Sequence, residues 1–206
     1  MGNMTLEQVN DMYLDVLREI GNIGAGNATS AIANMLGMKI DMNVPSIRLM
    51  EVSQLGMAVG AEDETIVGIF LEVETDIEGS MMFLLDIPSA RYLVNKLMMT
   101  NEPDDQPFGE MELSALKEIG NIIAGSYLSA LSSLTNLVIT PSVPYIAVDM
   151  AASILSVPAI EFGQYGDNAL LTQTEICADV AINGYFILMP EQDSYEKILT
   201  SLGISI

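Results

Sequence analysis

A glutamate and an asparagine three residues apart occur twice in this chain, within the repeated tetrapeptide Glu-Ile-Gly-Asn. The first copy supplies Glu19 and Asn22, and the second supplies Glu118 and Asn121. A carboxylate can form an ion pair with a partner's cation, and an amide can donate and accept hydrogen bonds at once. Such an amide can hold a water molecule in line for attack. Positioned water is most of what phosphoryl hydrolysis needs when the metal and the phosphate-binding groups are supplied elsewhere.

Two further positions lie on the same helical face in each copy. At 100° per residue, the four members of each polar stripe fall within about 60° of one another. They are Asp15, Glu19, Asn22 and Gly26 in the first copy, and Ser114, Glu118, Asn121 and Gly125 in the second. Because Ser114 replaces Asp15, the copies do not share a pair of carboxylates, and this argues against glycoside hydrolysis.

The polar stripe of each helix can face outward only if another side of the helix is buried. Val16, Ile20 and Ile23 project to the opposite side of the first helix, and burial of that side is predicted to leave the stripe exposed. Glycines are frequent in both helices although each costs about 1 kcal/mol relative to alanine, and close approach of another backbone is the simplest reason. The alternative is that the Glu and Asn residues are ordinary solvated residues whose repetition only records the duplication.

The repeat extends well beyond the tetrapeptide. Residues 17–49 align without a gap with residues 116–148 at an offset of 99, and 14 of the 33 aligned positions are identical. Each copy has a Val-Pro pair at the same distance, containing Pro45 or Pro144, which either supports the site or shapes a strand edge. We therefore predict one domain over residues 1–206 whose two halves span 5–100 and 108–206.

Hydrophobic periodicity and turn residues predict the same order of elements in both halves. The first half contains a helix over about 5–36, a strand over 38–50, a hairpin of strands 65–74 and 80–85, and a helix over 88–99. The second contains helices over 109–134, 150–155 and 192–202, a strand over 137–148, and a hairpin of strands 169–178 and 185–189 across Asn183-Gly184. Hairpins imply antiparallel pairing, so we predict an α+β fold whose halves share a largely antiparallel sheet.

Composition narrows the possible partners and chemistry. The 206 residues carry a net charge of −21 with only seven Lys and Arg, so nucleic acid and anionic membranes are poor partners and a protein that presents cations is expected. Histidine is absent and Cys177 is the only cysteine, which argues against a zinc site and predicts a buried, structural thiol. Without a membrane-length apolar run or a signal pattern, a cytoplasmic protein is expected.

The complete motif is similar to that of the CheC family of chemotaxis phosphatases. In order, the motif is Asp or Ser, any three residues, Glu, any two residues, Asn, any 22 residues and Pro. The resemblance covers nearly the whole chain. The resemblance implies that the protein hydrolyses the aspartyl phosphate of the response regulator CheY, which holds the Mg²⁺, so that this chain needs no cofactor of its own. In the family scheme Glu19 or Glu118 pairs with the regulator's active-site lysine, and Asn22 or Asn121 orients the attacking water. The supporting positions are Asp15, Pro45, Ser114 and Pro144.

The resemblance also implies a second partner and leaves two other functions open. CheD, a receptor deamidase, is expected to bind the helix that begins near Asp149, although an exposed Asp at a helix start is as often an N-cap. The expected protein is a monomeric phosphatase. The alternatives are a non-catalytic adaptor that sequesters CheY-phosphate or CheD, and a component of the flagellar switch.

Overall fold

The computed structural model describes residues 6–59, 63–161 and 168–203, and Thr5, where the first helix was predicted to begin, lies outside them. The described strands are β1 (Asp41–Glu51), β2 (Thr65–Thr75), β3 (Gly79–Asp86), β4 (Ile139–Pro141), β5 (Tyr145–Met150), β6 (Asn168–Cys177) and β7 (Ala181–Pro190). The helices are α1 (Leu6–Leu36), α2 (Leu55–Val59), α3 (Ile87–Met98), α4 (Glu110–Thr135), α5 (Ala151–Glu161) and α6 (Gln192–Ser201).

The two halves of the chain exchange their edge strands. The sheet has the order β1-β6-β7-β3-β2, and β4 and β5 both pair with β2 at the far edge. Strand β1 of the first half therefore pairs with the second hairpin, whereas β4 and β5 of the second half pair with the first hairpin. All of these pairings are antiparallel. The predicted α+β fold with a shared antiparallel sheet is confirmed.

The two prolines of the repeat fall at equivalent interruptions of the edge strands. The register between β1 and β6 shifts between Asn43 and Ser46, an interval that contains Pro45, whose side chain lies outside the described part of the structure. The strand predicted over 137–148 is two strands, and Pro144 lies between β4 and β5. Because proline lacks an N–H, it is tolerated at edges and bulges. Both positions fit the strand-edge interpretation, and a supporting role of either proline in a site stays a prediction.

The second hairpin turns at a different place from the predicted one. Strand β6 ends at Cys177 and β7 begins at Ala181, so Asn183 and Gly184 lie inside β7. A Cβ on Gly184 would lie 2.9 Å from Cε2 of Phe83 on the neighbouring strand β3. The Asn-Gly prediction is wrong because this glycine permits close packing within the sheet rather than a turn.

The single cysteine is more exposed than predicted. Cys177 ends β6 next to the edge strand β1 and is only partly buried, and the side-chain nitrogen of Asn43 lies 3.8 Å from its Sγ. Partial desolvation and the nearby carboxylates of Glu175 and Asp41 raise the pKa of this thiol. A raised pKa favours the protonated form, so the thiol is a poor nucleophile at neutral pH.

Apolar layers cover both faces of the sheet. Helices α1, α3, α4 and α6 contribute to the larger layer on one face, and α2 and α5 contribute to the smaller one on the other. The two long helices, α1 and α4, lie side by side in the larger layer and contact each other. Among the described helices, none has an apolar stretch long enough to cross a membrane.

Glycines bring the two long helices close to their neighbours. A Cβ on Gly24 of α1 would lie 3.0 Å from the Cα of Tyr127, so the backbones of α1 and α4 approach closely. A Cβ on Gly120 of α4 would lie 2.7 Å from Cδ1 of Ile69 on β2. Tyr127 stacks on Phe186 with ring centroids 4.4 Å apart, and burial raises the pKa of the Tyr127 hydroxyl. The predicted close approach is confirmed at Gly24, where backbone meets backbone.

Two glycines of α4 are expected to respond in opposite ways to alanine. Gly120→Ala should lower the free energy of unfolding by about 1–3 kcal/mol, because the added methyl overpacks against Ile69. A Cβ on Gly125 would meet nothing within 4 Å. Gly125→Ala should therefore raise the free energy of unfolding by up to about 1 kcal/mol, because alanine has the higher helix propensity. Urea unfolding measures both changes, because a shift of the midpoint at an unchanged m-value reports a change in stability. Destabilisation of similar size in the two variants would contradict the packing described here.

The open surroundings of two glycines correct the earlier interpretation. Gly26 of α1 and Gly125 of α4 occupy equivalent positions in the two polar stripes, and neither has an atom within 4 Å of an added Cβ. Close approach within the chain therefore does not explain them. Both lie four residues beyond the candidate asparagine and leave the surface flat there.

Candidate active site

The buried face of α1 determines the direction of its polar stripe. Leu17 and Ile20 are buried, as are the small residues that follow at Gly21 and Gly24. Ile23, predicted to lie on the buried side, is 37% exposed, and that part of the prediction is wrong. The helix rests on its glycine side because β1 and α4 both contact it there. The polar stripe still faces away from these contacts.

The first copy presents its polar side chains to solvent. Asp15, Glu19 and Asn22 are all exposed. The carboxylate of Asp15 accepts a hydrogen bond of 2.7 Å from Nη1 of Arg18, one turn further along the helix. Within the described part of the chain, Glu19 and Asn22 make no side-chain hydrogen bond or ion pair. Their carboxylate and amide are available to a partner.

The second copy is similar but differs in charge. Ser114 and Glu118 are exposed, and Asn121 is partly exposed. Across the residues that the structure describes, the side chains of Glu118 and Asn121 are also free of hydrogen bonds and ion pairs. Lys117 occupies the position that corresponds to Arg18, but Ser114 offers no carboxylate to pair with it. The two copies share the carboxylate and the amide. They differ because the neighbouring cation is neutralised by an acidic side chain only in the first copy.

Each glutamate and asparagine can contact different groups of a single partner. Three residues apart on a regular helix, their Cβ atoms are about 5–6 Å apart, so the two side chains reach adjacent points of one surface. In the described ranges, no three Asp, Glu or Cys side chains come close enough together to hold a metal ion. The arrangement can thus provide an ion pair and a water-orienting amide side by side.

The edge strand β1 packs directly below the first copy. A Cβ on Gly21, which lies between Glu19 and Asn22, would be 3.2 Å from Cδ1 of Ile47 and 3.5 Å from Cγ1 of Val44. Val44 and Ile47 flank the interruption that contains Pro45. These contacts lie on the buried side of α1, so the predicted supporting segment of the sheet is behind the helix, and Glu19 and Asn22 face away from it. A contribution of Pro45 itself to a site stays a prediction.

The second copy is supported differently. Gly120, the counterpart of Gly21, faces Ile69 of the inner strand β2 rather than an edge strand. Val143, the counterpart of Val44, is 88% exposed. Where the strand is divided around Pro144, Val143 projects into solvent, although β4 and β5 both contact α4. Sequence identity between the two copies did not indicate this difference.

Asp149 does not lie at the start of a helix. It belongs to β5, where it is exposed, and its Oδ1 accepts a hydrogen bond of 2.7 Å from the backbone N–H of Met150. Helix α5 begins at Ala151. The N-cap interpretation is therefore wrong. Asp149 borders a surface cavity of about 590 Å³ that is also lined by Tyr145 and Val157.

The fold is that of flagellar and chemotaxis proteins of known structure. FliY from Thermotoga maritima aligns with a TM-score of 0.75 and 21% identity over 98% of each chain. CheX in the CheX-CheY-BeF3-Mg²⁺ complex from Borrelia burgdorferi aligns with a TM-score of 0.53 and 19% identity, covering 82% of this chain and 96% of that chain. These identities are low, so the two structures establish the fold alone.

The family follows from sequence similarity. The CheC-like family model matches residues 12–48 and 111–147, so that each matched segment contains one Glu–Asn pair and its proline. A protein named CheY-P phosphatase CheC from Bacillus subtilis is 38% identical over 203 residues, which cover 96% of this chain and 97% of that protein. The chain belongs to the CheC-like family.

Proposed function

We propose that this protein is a phosphatase that hydrolyses the aspartyl phosphate of the response regulator CheY. The observation that carries the proposal is a pair of solvent-facing Glu–Asn sites within the two segments that match the family. The name of the Bacillus subtilis relative supports this activity, and the solved complex of CheX with CheY supports CheY as the partner.

In the proposed mechanism, the glutamate orients the partner. The carboxylate of Glu19 or Glu118 forms an ion pair with the active-site lysine of CheY. Both carboxylates are exposed and free of cations of their own chain within the described residues, so no internal ion pair must be broken first. A charge-assisted hydrogen bond of this kind fixes orientation as well as adding affinity.

The asparagine orients the attacking water. The amide oxygen of Asn22 or Asn121 accepts a hydrogen bond from a water molecule and holds it in line with the scissile bond. The water oxygen attacks phosphorus, the bond from phosphorus to the aspartate oxygen of CheY breaks, and the aspartate leaves as a carboxylate. The water's protons remain on phosphate or pass to solvent. No covalent bond forms to this chain, and positioning provides the rate enhancement.

The remaining requirements and partners follow from the same proposal. The Mg²⁺ belongs to CheY, and this chain supplies no metal ligand. CheD is the proposed second partner, with Asp149 and the adjacent cavity as its contact. The charge of −21 disfavours binding to nucleic acid or anionic membranes. We propose that the protein acts as a cytoplasmic monomer.

Turnover distinguishes the phosphatase from the adaptor. Substoichiometric protein is mixed with phosphorylated CheY and Mg²⁺, and the loss of phosphate is followed against CheY-phosphate alone. Release of many equivalents of phosphate per protein is expected. Protection or binding of a single equivalent without turnover would instead favour the adaptor. The likeness to FliY motivates a parallel test, because a switch component would be recovered with the flagellar rotor.

A further inference from the structure

A cation precedes each candidate asparagine by one helical turn. Arg18 lies four residues before Asn22, and Lys117 lies four residues before Asn121. Residues at this spacing are neighbours on a helix surface. The chain has only seven Lys and Arg in 206 residues, and two of them occupy these equivalent positions. In a chain of net charge −21, a cation beside each amide offsets part of the negative potential there, including that of the neighbouring Glu19 or Glu118.

The residue three positions before each cation controls its availability. At the first site the carboxylate of Asp15 accepts a hydrogen bond of 2.7 Å from Arg18, so the cation is neutralised by its own helix. At the second site Ser114 occupies the position of Asp15. The helix neighbours of Lys117 at 113, 114, 120 and 121 are Leu, Ser, Gly and Asn, and the ammonium group has no acidic partner among the described residues.

We propose that Arg18 and Lys117 are the groups that attract the phosphorylated partner to the two sites, and that residues 15 and 114 set how much of each charge is available. This inference rests on the proposed function and identifies specificity-determining residues for it. A phosphoryl group brings negative charge to the place where the amide must act. Attraction by a solvent-accessible cation in a negatively charged protein raises the association rate and is screened by salt.

The second site is the more sensitive of the two to ionic strength. Its cation is free, whereas the first site presents an ion pair whose charges largely cancel beyond a few ångströms. The difference arises from one substitution between the copies, aspartate at position 15 and serine at position 114. Exchanging these two residues should exchange the salt dependence of the sites.

Each site can be tested alone by replacing the other asparagine with alanine. In the Asn22→Ala background, Lys117→Met should lower kcat/KM about three- to fivefold at low salt through a higher KM. Lys117→Arg should retain the kcat/KM of the Asn22→Ala protein. Ser114→Asp should lower it about two- to threefold. With Asn121→Ala in place, Asp15→Ser should raise kcat/KM by a similar factor. The three expected differences, for Lys117→Met, Ser114→Asp and Asp15→Ser, should shrink at high salt, where the screening length is only about 3 Å at 1 M.

Lys197→Met provides a matched control. Lys197 is exposed and donates to the carbonyl of Asp76, which is hydrogen-bonded to Val138 beyond the C-terminal end of α4. The 14 helical steps from Asn121 to Thr135 at that end alone span about 20 Å at 1.5 Å per residue. The variant changes the net charge by the same amount as Lys117→Met and should leave kcat/KM unchanged. Equal losses in the two variants, or a fall in kcat rather than a rise in KM for Lys117→Met, would overturn the proposal.

Binding separates this proposal from the proposed activity. If the wild-type protein shows no turnover, the phosphatase assignment fails, but the cations can still be tested with CheY activated by BeF3⁻ and Mg²⁺. Arg18→Met with Lys117→Met should then raise the dissociation constant about threefold or more at low salt. The control pair Lys197→Met with Arg48→Met removes two exposed cations that lie outside both polar stripes and should not. An unchanged dissociation constant in the first pair would refute the inference.

Discussion

Replacement of both Asn22 and Asn121 by alanine is expected to abolish the proposed turnover of CheY-phosphate and to leave the protein folded. Loss of the water-orienting amide should lower kcat by roughly 100-fold or more, because small errors of alignment have effects of that size. Both side chains are at least partly exposed, and neither bonds to the described part of its own chain. Their removal should therefore change the free energy of unfolding by less than about 0.5 kcal/mol.

Single variants and a matched pair complete this experiment. Asn22→Ala and Asn121→Ala separately should each retain the activity of the other site, which ranks the two sites. Asn27 and Asn34 are exposed on α1 outside the polar stripe, so their joint replacement by alanine should leave phosphate release at the wild-type rate. Undiminished turnover in the Asn22→Ala and Asn121→Ala double variant would place the chemistry elsewhere. Phosphate release and urea unfolding are the two measurements.

Replacing Glu112 with alanine should destabilise the protein by about 3–5 kcal/mol. Its carboxylate pairs with Arg91 of α3, which is 1% exposed and also donates to the carbonyl of Gln106 and lies 4.0 Å from the centroid of the Phe108 ring. Without Glu112 the guanidinium is a buried charge that lacks its counter-ion, which costs several kcal/mol. The capping bond of 2.7 Å from the backbone N–H of Gly109 is lost as well.

An exposed ion pair provides the comparison for the buried one. Asp179→Ala removes the partner of Lys96 at a distance of 2.6 Å, but the two side chains are 65% and 38% exposed, respectively. Exposed pairs contribute little, so this variant should shift the urea midpoint far less than Glu112→Ala does. Similar shifts would show that the Arg91–Glu112 pair is not the buried contact described here. The Arg91–Glu112 pair also matters for the second site, because it anchors residues 106–112 at the beginning of α4.

Local patterns predicted the helices that carry the candidate site. The apolar spacing from Leu14 to Ile23 and the repeated Glu-Ile-Gly-Asn depend only on the order of residues, so they indicated two long helices, each with a polar stripe. The same information did not indicate which remaining face is buried. Ile23 is exposed because β1 and α4 contact the side of Gly21 and Gly24 instead. That choice is made by elements distant in sequence.

The Asn183-Gly184 pair shows the same limit in the sheet. Asn-Gly is a strong local turn signal, yet β7 continues through it because Gly184 must fit against Phe83 of β3. The packing partner is about a hundred residues away in the chain. A glycine required for close packing and a glycine required for a turn are identical in the sequence.

The sequence by itself determined the duplication, the two Glu–Asn pairs, the helices that display them and the asymmetry between Asp15 and Ser114. Each of these depends on residue identity or on spacing within a few helical turns. Only the tertiary structure decided that β1 and the β4–β5 segment exchange halves. It also decided that Gly21 of the first copy packs on an edge strand, whereas Gly120 of the second packs on Ile69 of β2. These outcomes depend on which distant surfaces bury each other, and burial is a property of the assembled sheet rather than of any local segment.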